Sequence, residues 1–437
     1  MFSYYLWLGF RSLRRHPWLT GLMILILSVG VAASMSTLTI LHVMSADPIP
    51  SKSQRLFIPV LDNGPAEDYT PGDKPREKQM SYQDVNNLLH SPIGLRRVGL
   101  YGIDAVIEMP RRDLGVLEIN GMAASRDFFG MLDVPFLFGS SWSEQDDKEG
   151  RDVVVLSRTI AEKMFGKVNP VGSQVTMWGR SYQVSGVMDS WRSEPKFYRY
   201  NGRGSAFNAE EQFIVPFYSA MRNETPHAGN MSCTGKRDPG WQALLRSECL
   251  WLTFWFEVSD AAERKQVQAY LDGYVSEQQK IGRFPRHAAN SLFNVPEWLV
   301  EVKLVGDDDK LSAWLAAGFL LLCLVNTIGL LLAKFSSRAA EIGVRRALGA
   351  SRRDIFFQVL IESGVIGLVG ALSGMLLSLL FLKLIALQAG YLRAVAHMDW
   401  RMLLLTLLMS IAAALLAGLL PTWRACQISP ALQLKSQ

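Results

Sequence analysis

Glu341, Arg345 and Arg346 sit in the stretch AEIGVRRALGASRRDI, residues 340–355, where four arginines and two acids lie between two of the most apolar runs of a 437-residue chain. A guanidinium fork makes paired, directional hydrogen bonds to a carboxylate, so such a cluster can grip an acidic partner or anchor against lipid headgroups. Arginine and aspartate each cost about 2.5–3.5 kcal/mol at the centre of a membrane helix, so the cluster needs a position outside hydrocarbon. Other chemistry is sparse. The sequence has no H-E-x-x-H, nucleophile or G-x-x-x-x-G-K-[ST] motif. Its six histidines include no set at metal-ligand spacing, His227 near Cys233 being the nearest approach. A net charge of +5 is too small to argue for nucleic acid.

Runs long enough to cross a bilayer flank the cluster. WLTGLMILILSVGVAASMSTLTILH, from Trp18 to His42, holds no formal charge over about 25 residues, enough at 1.5 Å per residue to span ~30 Å of hydrocarbon. With Arg11, Arg14 and Arg15 ahead of it, the run also has the outline of a secretory signal. Its length, and the apolar chain after VAASMS, favour an uncleaved anchor. Leu311–Ala333, Ile361–Leu387 and Met402–Leu420 read as three further spans, the last two joined by QAGYLRAVAHMDW with Tyr391 and Trp400 at interface positions. The opening MFSYYLWLGFRSLRR predicts an interfacial amphipathic helix over residues 1–17.

Basic residues gather before the first span, between the second and third (Lys334, Arg338, Arg345, Arg346, Arg352, Arg353), and after the fourth (Arg424, Lys435). Only Arg393 and Arg401 lie between the third and fourth. By the positive-inside rule both termini and the arginine-rich turn, about 334–356, are cytoplasmic. The expected fold is an α-helical membrane protein of four transmembrane helices in a 1+3 arrangement. Residues 18–46 form the first span, 311–437 the other three, and 47–310 a large α+β extracytoplasmic domain.

Within that domain, VLEINGMAASRDFFGML and RDVVVLSRTIAEKMFG each read as strand then helix, with Ser157 as an N-cap. GSQVTMWGRSYQVSGVM reads as a hairpin turning at Gly179-Arg180, and CLWLTFWFEVSDAAERKQVQAYLDGYV as an aromatic strand and an amphipathic helix. Residues 194–240, rich in Gly, Asn and Ser, read as largely irregular. Of four cysteines, Cys323 falls in a span and Cys426 in the basic tail. Cys233 and Cys249 share the oxidising side and predict a disulfide, worth about 3 kcal/mol for a loop of this length in the chain-entropy model.

Locally, Ile342, Val344, Ala347 and Leu348 share a short helix with the charged residues, Gly349 suits its C′ position, and Ser351 with Asp354 resembles a capping box opening the third span. In that span Gly367, Gly370, Gly374 and Ser378 recur every three or four residues and predict a small-residue packing face. Charge alone leaves two readings of the turn open: a topology signal touching lipid, or a docking surface.

EIGVRRALGASRRDI resembles the cytoplasmic loop of the MacB/FtsX-type ABC transporter permeases. The resemblance extends to RSLRRHPWLTGLMILILSVGVAA, to INGMAASRDFFGMLDVPFLFGSSWSEQDDKEGRDVVVLSRTIAEKMFGKVNPVGSQVTMWGRSYQVSGVMD and to LPTWRACQISPALQLK, in the family's order. It implies a permease of the bacterial inner membrane that pairs with a second permease copy or homologue and docks on a separate ABC ATPase through this loop. Movement then passes to the periplasmic domain (mechanotransmission). Glu341, Ile342, Arg345, Arg346, Leu348 and Gly349 become the expected ATPase-coupling residues. ATP and Mg would be bound by the partner ATPase, with no cofactor in this chain and no enzyme activity of its own. The large outer domain favours export or efflux with a periplasmic adaptor and an outer-membrane channel. Two alternatives stay open: a signalling permease regulating cell-wall hydrolases, and lipoprotein release.

Overall fold

The computed structural model describes residues 17–64, 69–70, 72–75, 77–108, 115–191, 193–199, 206–207, 210–233, 238–338, 341, 344–345 and 348–388, with scattered positions from 404 to 419. The chain divides into two compact units, Met1–Ser45 with Val305–Gln437, and Ala46–Leu304. The predicted helix over 1–17 lies almost wholly outside the described residues, as does Cys426.

The first apolar run is helical over Pro17–Met44 (α1). The α+β unit follows. In chain order it comprises β1 (Leu56–Val60), α2 (Tyr82–Leu89), β2 (Arg96–Glu108), β3 (Val116–Ala124), α3 (Asp127–Met131), β4 (Phe136–Gly139), α4 (Glu144–Glu149), β5 (Val153–Ser157) and α5 (Arg158–Phe165). Then come β6 (Gln174–Met177), β7 (Arg180–Met188), β8 (Phe213–Pro216), α6 (Phe217–Arg222), α7 (Trp241–Arg246), β9 (Thr253–Glu257), α8 (Ala261–Lys280), β10 (Ser291–Asn294) and α9 (Val295–Glu301).

All ten strands belong to one mixed sheet, ordered β10-β1-β9-β2-β3-β8-β5-β7-β4. Strand β6 pairs with both β2 and β7, so β2, β3, β8, β5, β7 and β6 close a ring. The period-two pattern of β2 sets its faces: Ile103, Ala105 and Ile107 are buried, while Asp104, Val106 and Glu108 between them are exposed. Their inward neighbours include Ile119, Val154, Leu156, Val184 and Phe213. β3 approaches β8 so closely that a Cβ on Gly121 would fall 2.3 Å from the Phe213 carbonyl oxygen, which restricts that position to glycine.

Ser157 caps α5, its side chain accepting from the Ile160 N–H. The hairpin between β6 and β7 turns one residue earlier than its sequence suggests. Trp178 and Gly179 occupy the turn, with φ of 51° and 70°, and Arg180 already pairs with Met177. The described residues of 194–240 are largely irregular, as their composition suggests, with β8 and α6 the regular elements among them.

The remaining spans are α10 (Asp307–Ser336) and α11 (Arg352–Gln388), both longer than the apolar runs that predict them because charged turns extend them. Among the described residues α1, α10 and α11 are the helices long and apolar enough to cross a membrane. The expected fourth span lies mostly outside the described residues; positions such as Leu404, Leu408 and Leu416 within it are helical.

Candidate functional site

The turn between α10 and α11 is built mainly from local bonds. Glu341, Val344 and Arg345 are helical, and the Leu348 and Ala350 N–H groups close onto the Val344 and Arg345 carbonyls at 3.0 and 3.1 Å. Gly349 then takes φ 100°, which ends this helix at little strain because there is no Cβ. Ser351 and Asp354 cap α11 reciprocally: the Asp354 N–H donates to Ser351 Oγ and the Ser351 N–H to Asp354 Oδ2, each at 3.2 Å.

Arg345 does not stand alone. Its Nη2 donates to Glu341 Oε1 at 2.7 Å, one turn back, and its Nη1 to Gln358 Oε1 on α11 at 3.0 Å. Both ion-pair side chains stay about two-fifths exposed, 39% for Glu341 and 37% for Arg345. Leu348 is 82% exposed and Val344, on the same helical face, 54%. Phe357 on α11 adds a further exposed ring. Ile342 and Arg346 lie outside the described residues.

Below the turn lies a buried ion triad. Lys334 Nζ sits 2.7 Å from Glu362 Oε1, with 0% and 5% of the two side chains exposed, and Arg338 Nη1 reaches the same oxygen at 3.2 Å. Met23, Leu27, Leu331, Phe335, Ile355, Val359 and Ile366 form a buried apolar cluster on the same helices. The sequence shows these three charges only as parts of a positive-inside pattern and a lone span-end glutamate; their meeting depends on the pairing of two helices.

The small-residue face of α11 turns towards α1. Gly367 is buried. A Cβ on Gly370 would lie 3.2 Å from Leu27 Cβ, and one on Gly374 would lie 3.0 Å from Val31 Cβ. Ser378 Oγ meets Ser36 Oγ at 3.1 Å. The partner stripe on α1, Ser28, Ala32 and Ser36, follows the same every-fourth spacing and was there to be found. Ser28 Oγ donates to the Gly370 carbonyl at 3.3 Å, and Ser34 Oγ to that of Ala316 on α10 at 2.7 Å.

In the α+β unit Cys233 and Cys249 are joined, S–S 2.05 Å. The Ser232 and Leu250 backbones exchange hydrogen bonds of 3.0 and 2.7 Å beside them. Glu211 is buried among Lys196 (3.1 Å), Tyr198 and Arg199. Burial alone would raise its pKa, but the Arg199 and Lys196 charges outweigh that and hold it below the usual range. Asp147 behaves oppositely: burial pushes its pKa up to about 6 despite donation from Trp142 Nε1 and the Arg126 N–H. His227 tilts against the Trp251 ring, and the described residues hold no group of three potential metal ligands.

Residues 20–274 match the MacB-like periplasmic core domain, and residues 314–430 the FtsX-like permease C-terminal. The chain is 26% identical over 263 residues to the macrolide export ATP-binding/permease protein MacB of Bdellovibrio bacteriovorus, covering 58% of this chain and 35% of that one. A protein of the same name from Hyphomonas neptunium is 25% identical over 443 residues, 98% of this chain and 60% of the other. The solved periplasmic region of MacB from Actinobacillus actinomycetemcomitans aligns at 14% identity and a TM-score of 0.35, over 56% of this chain and 90% of that structure. The chain thus spans about a third to three-fifths of the length of these curated relatives. The core-domain match alone takes in more than half of the sequence. Followed by the permease match, it establishes that the chain belongs to the MacB/FtsX-type family of ABC transporter permeases.

Proposed function

We propose that this chain is the membrane permease of an ATP-driven exporter of the bacterial inner membrane, with both termini and the α10–α11 turn cytoplasmic. An ABC ATPase docks on the turn, and nucleotide-driven movement passes to the periplasmic unit. A second permease copy, a periplasmic adaptor and an outer-membrane channel complete the assembly. Export as the direction is supported by relatives named for macrolide and pyoverdine export.

The observation that carries the reading is the construction of the turn. A membrane anchor needs charge but no particular geometry, whereas this segment has a helix stop at Gly349, a capped restart at Ser351 and a cross-tie from Arg345 to Gln358. The result is a fixed helix presenting Val344 and Leu348 outward, a form suited to seat in a partner's groove. Arg345, tied to Glu341 and Gln358, orients that surface, while Leu348 fills the partner.

The test uses the tagged chain, isolated from its native membrane with any co-purifying ATPase and placed in lipid nanodiscs. Arg345→Lys with Arg346→Lys keeps the charge but removes the forks, so topology reporters stay unchanged while chain-dependent ATP hydrolysis falls at least about fivefold. Normal hydrolysis in the double-lysine protein, with Glu341→Ala and Leu348→Ala also silent, would reduce the turn to a topology signal.

A further inference from the structure

The ion triad occupies a place where an apolar residue would be expected. On α11, Ile355, Val359, Glu362 and Ile366 recur at spacings of four, three and four, the rhythm of a helix–helix seam. Leu331 and Phe335 on α10 join the same buried cluster, together with Met23 and Leu27 of α1, and Lys334 on α10 and Arg338 just beyond its end reach across to Glu362. Glu362 therefore replaces an apolar residue in the middle of the seam and is met by two cations one helical turn apart. Such a triad is weak evidence for stability, because well-packed apolar residues at a buried ion-pair site often serve a fold equally well or better. Its distinctive effect is geometric. An apolar contact tolerates sliding and rotation, since hydrophobic attraction has no direction, whereas a one-turn slip would take the buried carboxylate away from one of its two cations and leave that charge buried without it.

The position of the triad makes that geometry useful. Glu362 lies ten residues into α11, about 15 Å along its axis from Arg352. Lys334 is two residues from the end of α10. The first turns of α11 and the described residues from Glu341 to Ser351 thus lie beyond the triad as one arm. Within the arm the Arg345–Gln358 bond ties the short helix to α11.

We propose that Glu362, gripped by Lys334 and Arg338, is the register lock of the α10–α11 hairpin: a positioning residue that makes the arm a rigid extension of two spans, so that a push on the turn moves the spans. This rests on the coupling reading above. Lock and docking surface are separate functions. The lock transmits, and the exposed face of the turn binds.

The test compares the full-length chain with a variant carrying Lys334→Met, Arg338→Met and Glu362→Met, which removes all three charges and leaves none buried unpaired. In both, Cys426→Ser leaves only introduced thiols to label, since Cys323 is buried and Cys233 and Cys249 are bonded. Nitroxides go on the exposed positions Leu322→Cys on α10 and Leu380→Cys on α11, both away from the docking turn. The distance distribution between them should broaden in the triple-methionine protein. Co-isolated ATPase should stay within about twofold of wild type while chain-dependent hydrolysis falls at least about fivefold. An unbroadened distribution with normal hydrolysis overturns the proposal, as does loss of ATPase with the distribution unbroadened, which would move the triad's role to docking. Glu362→Asp keeps every charge and shortens the reach by one methylene. It should broaden the distribution to a smaller degree, and it decides the matter if the triple variant does not assemble. A wild-type chain that binds no ATPase sinks the coupling reading instead, and the label distances still judge the lock.

Discussion

Asp147 holds its proton at a pH where an ordinary aspartate has lost it. Its carboxylate accepts from Trp142 Nε1 at 2.7 Å and from the Arg126 N–H at 3.1 Å, yet burial dominates and pushes its pKa up to about 6, with the Asp127 charge adding to the rise. In the unfolded chain the same group titrates near 3.8. Between those values the folded state binds more protons than the unfolded one, so stability falls as pH rises through this window and levels off above about 6. The contribution is about 2 kcal/mol after allowing for partial exposure. Asp147→Asn should remove that part of the slope. Melting the α+β unit at pH 4.5 and 7.5 checks it: the wild-type loss over this interval should exceed that of the asparagine variant. Equal losses would mean that Asp147 ionises normally in the fold.

At the scale of elements, the α1–α11 contact makes the sharpest demand. A leucine at Gly374 would have to displace Val31 Cβ from 3.0 Å and the Ser28 carbonyl oxygen from 3.1 Å, and backbone cannot swing aside as a side-chain tip can. Overpacking of this kind costs about 1–3 kcal/mol. Gly374→Leu should therefore lower the unfolding midpoint of the helical unit in detergent. Gly318→Leu and Gly329→Leu on α10, where a Cβ meets nothing within 4 Å, should leave it unchanged. A silent Gly374→Leu would show that the two helices do not pack along this face.

What the sequence makes legible follows the range of each interaction. Ser157 as a cap, Ser351 with Asp354 and the run of small residues on α11 are local patterns, decided within about two turns of chain. Strand β8 escapes such a reading. Its four residues end in proline and lie in a Gly- and Asn-rich stretch, and they become a strand because β3 and β5 offer edges on either side. The turn at Trp178 is displaced by one residue because tryptophan takes a left-handed conformation that composition assigns to glycine. The Arg345–Gln358 tie and the ion triad need the register of two helices, which no single segment contains.

At the scale of the whole molecule, the α+β unit has a sheet and core of its own, and the helices have another. Two unfolding transitions are expected in detergent. A reductant should lower only the one belonging to the α+β unit, by about 3 kcal/mol for a 16-residue separation between Cys233 and Cys249. Near-ultraviolet circular dichroism with and without reductant reads this. A shift of both transitions together would show that the units unfold as one.

The place of β1 in the sheet has a consequence for synthesis. Leu56–Val60 is buried at every position, and its neighbours are β9 and β10 alone. Phe57 pairs with Phe256 and Asn294, so the ribosome makes this strand about 200 residues before either partner exists. Throughout that interval LFIPV is a bare apolar ribbon with both edges open, the form most prone to pair with another chain. Its Pro59, lacking a backbone N–H, weakens such wrong pairing at one position. Biogenesis of this protein therefore requires that the nascent strand be shielded until the last tenth of the α+β unit has been made.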